Sequence, residues 1–158
     1  MKNIEFAINM ELDGVKFYTK QAELNKSNNL YTVCEMLAND EKRHAQLLID
    51  SAKNNSFKLS GKEADPNKEN VFSNISQQEL KDIAQFDFYR LALEKEKESI
   101  DLYADFSKGA VEASEKEFFD YMVNQEQHHY NILNDIVTML QNSEEWVESA
   151  EFGVRKEY

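Results

Sequence analysis

Cysteine occurs once in the 158 residues, at Cys34, which excludes an internal disulfide framework and any four-cysteine metal knuckle. Proline also occurs once (Pro66) and glycine four times, too little punctuation for an all-β chain rich in tight turns. Basic residues are scarce: 18 Lys+Arg face 30 Asp+Glu, a formal charge of −12. A surface that acidic repels phosphate backbones and anionic lipid, so neither nucleic acid nor a membrane is expected as a partner. No run approaches the ~18 apolar residues of a membrane span, and Met1-Lys2-Asn3-Ile4-Glu5 has no apolar signal core. With 41% hydrophobic content, the length supports one domain with a substantial core. The expectation is a soluble, cytoplasmic, mostly helical protein.

Helical periodicity is strong in four stretches. The first is predicted over about 3–24, with Ile4, Ala7, Ile8, Leu12, Val15 and Ala22 at helical spacing. Turn chemistry follows at 25–28, where Ser27 or Asn28 can cap the second stretch. That stretch runs to about 54, with Leu30, Val33, Leu37, Ala38, Leu48 and Ile49 on its apolar side. The pattern lapses over 55–75, around Gly61 and Pro66, and a capping box at 76–79 opens a short helix. Asp87 is placed to cap the third long helix, Gly109 marks a turn, and the fourth helix is expected over about 111–141. An acidic tail, 143–158, is expected to pack on the bundle through Trp146, Val147 and Phe152.

An internal repeat organises these elements. A shift of 85 residues lays Ala7 on Ala92, Glu11 on Glu96, Tyr18 on Tyr103, Glu41 on Glu126, His44 on His129 and Leu48 on Leu133. A period that long means a duplicated hairpin rather than a solenoid. The predicted architecture is all-α: a bundle over 1–142 made of hairpins at about 3–54 and 87–142, joined by a crossover at 55–86.

The seams of the four helices are interrupted by groups that do not belong in an apolar core. Helix one presents Ile4, Ala7, Glu11, Gly14, Tyr18 and Ala22; helix two presents Leu30, Cys34, Leu37, Glu41, His44 and Leu48. The third presents Tyr89, Ala92, Glu96, Ser99, Tyr103 and Phe106, and the fourth Met122, Glu126, His129, Leu133, Ile136 and Leu140. The midpoints between Glu11 and Glu41/His44, and between Glu96 and Glu126/His129, fall at the two turns. Antiparallel arms of equal rise therefore bring the six polar residues to one level. Burying four carboxylates uncompensated costs several kcal/mol per ion, and no Lys or Arg lies on the seams. Two divalent cations supply the missing charge, and each Glu-x-x-His sets two ligands on one helix face. The alternative is that these residues lie on solvated faces, which requires all six to leave the seam. His128 points away from the face of His129. Cys34 reads as a buried structural thiol, and only Glu96 of the Glu94, Glu96, Glu98 run lies on the seam.

The segments Ala7–Tyr18 (AINMELDGVKFY), Asn39–Leu47 (NDEKRHAQL), Leu91–Tyr103 (LALEKEKESIDLY) and Asn124–Leu133 (NQEQHHYNIL) resemble the rubrerythrin-like branch of the ferritin-like di-iron proteins. The tail, EEWVESAEFGVRKEY, is similar to the C-terminal segment of small members. The resemblance implies a ferritin-like four-helix bundle holding two iron ions. Its lone ligands would be Glu11 and Glu96, and its Glu-x-x-His ligands Glu41, His44, Glu126 and His129, with Glu41 and Glu126 bridging. Manganese or zinc is open to the same oxygen and nitrogen ligands. Asp40 matches an acid that in some di-iron families accepts a hydrogen bond from a ligand imidazole, here His129; the other reading is a surface aspartate. Gln125, Gly14 and Ser99 complete the layer around the ligands.

Two departures bear on function. Members with a four-cysteine iron–sulfur domain carry their own electron relay; this chain has one cysteine, so electrons must come from a separate donor such as a rubredoxin-type protein. Ser99 stands where the family tends to place an extra glutamate one turn after the third-helix ligand, and its repeat mate is Gly14. Gly14 and Ser99 leave either a gap through which peroxide or dioxygen can approach or simply a close helix contact. The resemblance implies an oxidoreductase that reduces hydrogen peroxide, or dioxygen, in oxidative-stress defence, with Tyr18 and Tyr103 as proton donors or as core tyrosines with bonded hydroxyls. A ferroxidase with iron as substrate, and a redox-inert module whose metals only hold the bundle, are the alternatives. A homodimer is expected.

Overall fold

The computed structural model describes residues 3–28, 30–54 and 85–152, with side chains to residue 142. Four helices account for nearly all of them: α1 (Asn3–Leu24), α2 (Leu30–Lys53), α3 (Gln85–Gly109) and α4 (Ala113–Phe152). Helix α1 packs on α2 and α3 on α4, giving the two expected hairpins. One continuous core, with side chains from all four helices, joins the hairpins into an all-α bundle. The stretch 55–84, which holds most of the crossover and the expected capping box, lies outside the described residues, and so do the side chains of Trp146, Val147 and Phe152.

Local chemistry explains the helix boundaries. The first turn is knitted by asparagines: Asn25 donates through Nδ2 to the Gln21 carbonyl at 2.8 Å, and Asn28 Oδ1 accepts from the Leu30 N–H at 2.9 Å. Asn28 is thus the cap of α2. Lys53 in the last turn of α2 faces the negative end of the helix dipole. Asp87 does not cap α3, because that helix reaches back to Gln85 and places Asp87 within its first turn. Helix α4 runs beyond the expected end near 141, since no glycine or proline interrupts 110–152. Val111 sits in the turn before α4 and is exposed. The Lys116 N–H bonds the Glu112 carbonyl at 3.1 Å, which closes the first turn.

Gly109 ends α3 without needing glycine's freedom: its φ is outside the left-handed region, and an added Cβ would meet nothing within 4 Å. Gly109→Ala should therefore stabilise the fold by about 0.4–1 kcal/mol, by restricting the unfolded chain. Urea denaturation measures this directly, and a destabilised variant would show that the turn does use the glycine.

The seams are buried nearly as the heptad pattern predicts, from Ile4 to Ala22 on α1 and from Leu30 to Leu48 on α2. They drift at two helix ends. On α3 the buried position passes from Phe106 to Ser107, and on α4 from Ile136 to Val137. A 3.6-residue turn slips relative to a strict heptad, so a buried stripe moves by one position over several turns. Leu12, one of the apolar residues at helical spacing, is exposed, whereas Phe6, Met10 and Phe17 are buried. Among the described residues no helix is long and apolar enough to cross a membrane.

Candidate metal centre

The six seam residues Glu11, Glu41, His44, Glu96, Glu126 and His129 meet in the middle of the bundle, none more than 2% exposed. Glu11 comes from α1, the Glu41/His44 pair from α2, Glu96 from α3 and the Glu126/His129 pair from α4. The i,i+3 spacing within each pair sets both side chains on one helix face. The two imidazoles face each other, 5.2 Å apart and nearly stacked.

The carboxylate oxygens divide between the two rings. His44 Nδ1 has Glu126 Oε1 at 3.0 Å and Glu11 Oε2 and Glu41 Oε2 each at 3.4 Å. His129 Nδ1 has Glu41 Oε1 at 3.4 Å, Glu96 Oε2 at 3.5 Å and Glu126 Oε2 at 3.7 Å. Glu41 and Glu126 thus give one oxygen to each half, while Glu11 serves only the His44 half and Glu96 only the His129 half. The other oxygens of Glu11 and Glu96 are taken by tyrosines: Tyr103 donates to Glu11 Oε1 and Tyr18 to Glu96 Oε1. Each tyrosine lies seven residues after its own helix's glutamate yet bonds the opposite one. That reciprocal pairing requires α1 and α3 to run antiparallel.

These contacts are close but not aligned as hydrogen bonds. Glu11 Oε2, Glu41 Oε1, Glu96 Oε2, Glu126 Oε1, both nitrogens of His44 and His129 Nδ1 are buried without a hydrogen-bond partner among the described residues. A folded core seldom leaves one such atom, because each costs about 1–3 kcal/mol. Here every residue of the cluster has at least one. Glu41, His44, Glu126 and His129 each offer a ligand atom, all within 4.8 Å of one another. A donor set of carboxylate oxygens and imidazole nitrogens around two centres fits two divalent cations.

Electrostatics within the cluster separate the lone from the shared glutamates. Burial, with the Glu41 and Glu126 charges, pushes the Glu11 carboxyl well above the usual carboxylate range. Burial and the Glu41 charge do the same to Glu96. Burial alone would also raise Glu41, but the Glu11 carboxyl and the two imidazoles hold it below that range. Glu126, opposed by burial and by Glu41, is likewise held low by His129 and His44. Burial works against the histidine charges, yet Glu11, Glu126 and Glu41 push His44 up to about 12, and Glu126, Glu41 and Glu96 push His129 well up. Without metal, the cluster is a set of ionised and protonated groups balancing one another.

The surrounding layer is partly as the sequence suggests. Asp40 is half-buried, with Oδ2 3.2 Å from His129 Nε2. Gln125 is half-buried on α4, and its Oε1 accepts from Arg43 at 3.0 Å. Gly14 and Ser99 are buried, and the Ser99 hydroxyl lies 3.9 Å from Met10 Sδ, so a thioether occupies the space beside it. Cys34 is buried and its thiol is pushed up to about 12, far from the thiolate a metal would need. His128 is exposed. Sequence reasoning missed Arg43 and Met10, since neither residue type marks a site by itself. It gave the tyrosines no partners, although their matching places in the repeat were a signal.

Aromatic side chains pack around each of the two tyrosines. Phe17 and Phe88 stack at 5.3 Å beside Tyr18, and Phe119 stacks on Tyr103 at 6.1 Å with Phe106 at its edge.

Comparison with known proteins agrees with this architecture. The family model described as Rubrerythrin matches residues 2–137. A Thermotoga maritima protein, described as a candidate ferritin-like diiron-carboxylate protein, superposes with a TM-score of 0.71 at 21% identity, covering 87% of this chain and 95% of its own. A hypothetical protein from Pyrococcus furiosus superposes with a TM-score of 0.64 at 22% identity, covering 89% of each chain. At such identities the likeness shows a shared fold. No curated protein matches the chain significantly. The matched residues take in parts of all four helices and all six residues of the buried cluster, and the chain belongs to the rubrerythrin family.

Proposed function

We propose that the chain is a di-iron oxidoreductase that reduces hydrogen peroxide, with electrons delivered by a separate donor such as a rubredoxin-type protein. The observation that supports this best is the convergence of orphaned buried ligand atoms into two matching sets with two shared carboxylates. Glu11, Glu41, Glu126 and His44 would hold one ion, and Glu96, Glu41, Glu126 and His129 the other. Two ferrous ions held there would supply one electron each, together the two electrons that cleavage of one O–O bond takes. The protein's own groups prepare the site. Tyr18 and Tyr103 orient Glu96 and Glu11, and burial together with those carboxylates keeps a proton on each phenol oxygen. Burial of all six side chains keeps bulk water away from the cluster. Reduction of peroxide to two waters consumes two protons, and the two phenols are held beside the cluster to relay them.

The experiment is stopped-flow oxidation of the anaerobic diferrous protein with peroxide and dioxygen in parallel. Peroxide is expected to react far faster. A dioxygen rate equal or greater would transfer the assignment to ferroxidase or oxygen-reducing chemistry.

Metal uptake should also depend on pH in a defined direction. Glu11 and Glu96 are pushed toward their protonated forms, as are both imidazoles. Ligation requires these groups to lose their protons, so affinity should rise with pH and loading should release protons. Calorimetric titration with Mn²⁺ in buffers of different ionisation enthalpy counts them. Proton-neutral loading would contradict the electrostatic description of the metal-free cluster.

A further inference from the structure

The duplication leaves the two halves of the centre alike inside and unlike outside. The 85-residue shift that pairs Glu41 with Glu126 and His44 with His129 also lays Asp40 on Gln125 and Arg43 on His128. Behind His129, Asp40 Oδ2 stands 3.2 Å from Nε2. An N–H donated there leaves the lone pair on Nδ1, the nitrogen that faces Glu41, Glu96 and Glu126, and so fixes ring and tautomer for ligation. Behind His44, the equivalent Nε2 is buried with no hydrogen-bond partner among the described residues. Gln125, the repeat mate of Asp40, is engaged elsewhere: its Oε1 accepts from Arg43 at 3.0 Å. The same guanidinium lies 3.3 Å from Asp40 Oδ1. One side chain therefore steadies the carboxylate behind His129 and detains the amide that symmetry would place behind His44.

Resting on the metal-binding reading above, we propose that the two metal positions are unequal: the position at His129 and Glu96 fills first and holds its ion more tightly, and the position at His44 and Glu11 is the weaker, exchangeable one. The cause lies in the outer partners. A carboxylate behind an imidazole strengthens it as a donor and adds negative charge near the ion. An imidazole whose outer nitrogen meets no acceptor among the described residues gains neither from them. Asp40, Arg43 and Gln125 are positioning residues here, acting through the two rings.

The test is a titration of the metal-free protein with Zn²⁺ alone, followed by long-range proton–nitrogen NMR of the imidazole rings. The chain has three histidines, and exposed His128 serves as an internal control. During the first equivalent, His129 Nδ1 should move to its metal-bound position while His44 stays; His44 should follow in the second. Repulsion between neighbouring cations separates the steps of any two-ion site, so the informative readout is which ring responds first. Asp40→Asn should weaken the His129 step by about 10–100-fold and make the two rings respond together. Gln125→Asp, which copies Asp40 into the other half, should tighten the His44 step and also narrow the difference. Parallel filling of both rings in the unaltered protein would overturn the inequality, as would an unchanged order in Asp40→Asn. If neither ring responds, the metal centre itself is refuted, an outcome readily told apart from two equal sites.

Discussion

Glu126→Ala should leave the protein unable to retain either metal ion, whereas Glu11→Ala should spare one. The difference follows from how the oxygens are distributed. Glu126 places Oε1 3.0 Å from His44 Nδ1 and Oε2 3.7 Å from His129 Nδ1, so its loss removes a donor and a negative charge from both halves. Glu11 approaches only His44, and its second oxygen is occupied by Tyr103. Removing it leaves Glu96, Glu41, Glu126 and His129 in place around the other position. After loading and desalting, elemental analysis should give about two ions per chain for the unaltered protein, about one for Glu11→Ala and close to none for Glu126→Ala. Circular dichroism separates loss of ligand from loss of fold. A Glu126→Ala variant that keeps one ion while Glu11→Ala loses both would refute the division into shared and lone carboxylates.

That division was only half legible from the sequence. The six polar residues were found because each breaks an otherwise apolar seam, and because a duplicated chain repeats the break at the same height. Their partition was not, since it depends on which oxygen of each glutamate turns to which ring. The tyrosine bonds span 78 and 92 residues, and their crossing emerges only when α1 and α3 are laid antiparallel. Arg43 is an exposed cation on a polar face, and nothing in the spacing ties it to Gln125, 82 residues away. The fold was read more fully, because helical periodicity and two turns determine most of it. The errors fall where local signals compete. Asp87 is a good cap residue, but α3 had already begun at Gln85. The acidic composition after 141 suggested a tail, whereas helix propensity without a breaker carries α4 to Phe152.

Stripping the metal should lower the melting temperature by roughly 15–30 °C without unfolding the chain at room temperature. An ion present at about 1,000 times its dissociation constant adds about 4 kcal/mol, and a domain of this size shifts by about 2–4 °C per kcal/mol, so two ions account for that range. The metal-free protein survives because the cluster can neutralise itself. Glu11 and Glu96 are driven toward their protonated forms, while the ionised Glu41 and Glu126 face charged His44 and His129. Two carboxylates against two imidazoliums leave little net charge in the core, although the orphaned atoms remain unsatisfied. A specific consequence separates this account from general loosening on metal removal. Glu11→Gln copies the shape of the neutral acid, so it should change metal-free stability by less than about 1 kcal/mol while sharply reducing the gain on loading. Glu41→Gln should be costly even without metal, because it leaves a buried imidazolium without one of its counter-charges. Scanning calorimetry of the three proteins, each with and without Mn²⁺, gives the comparison. Equal melting temperatures with and without metal would mean that the ions contribute nothing to holding the bundle. A Glu11→Gln variant as damaged as Glu41→Gln in the absence of metal would mean that the lone glutamates are ionised there after all.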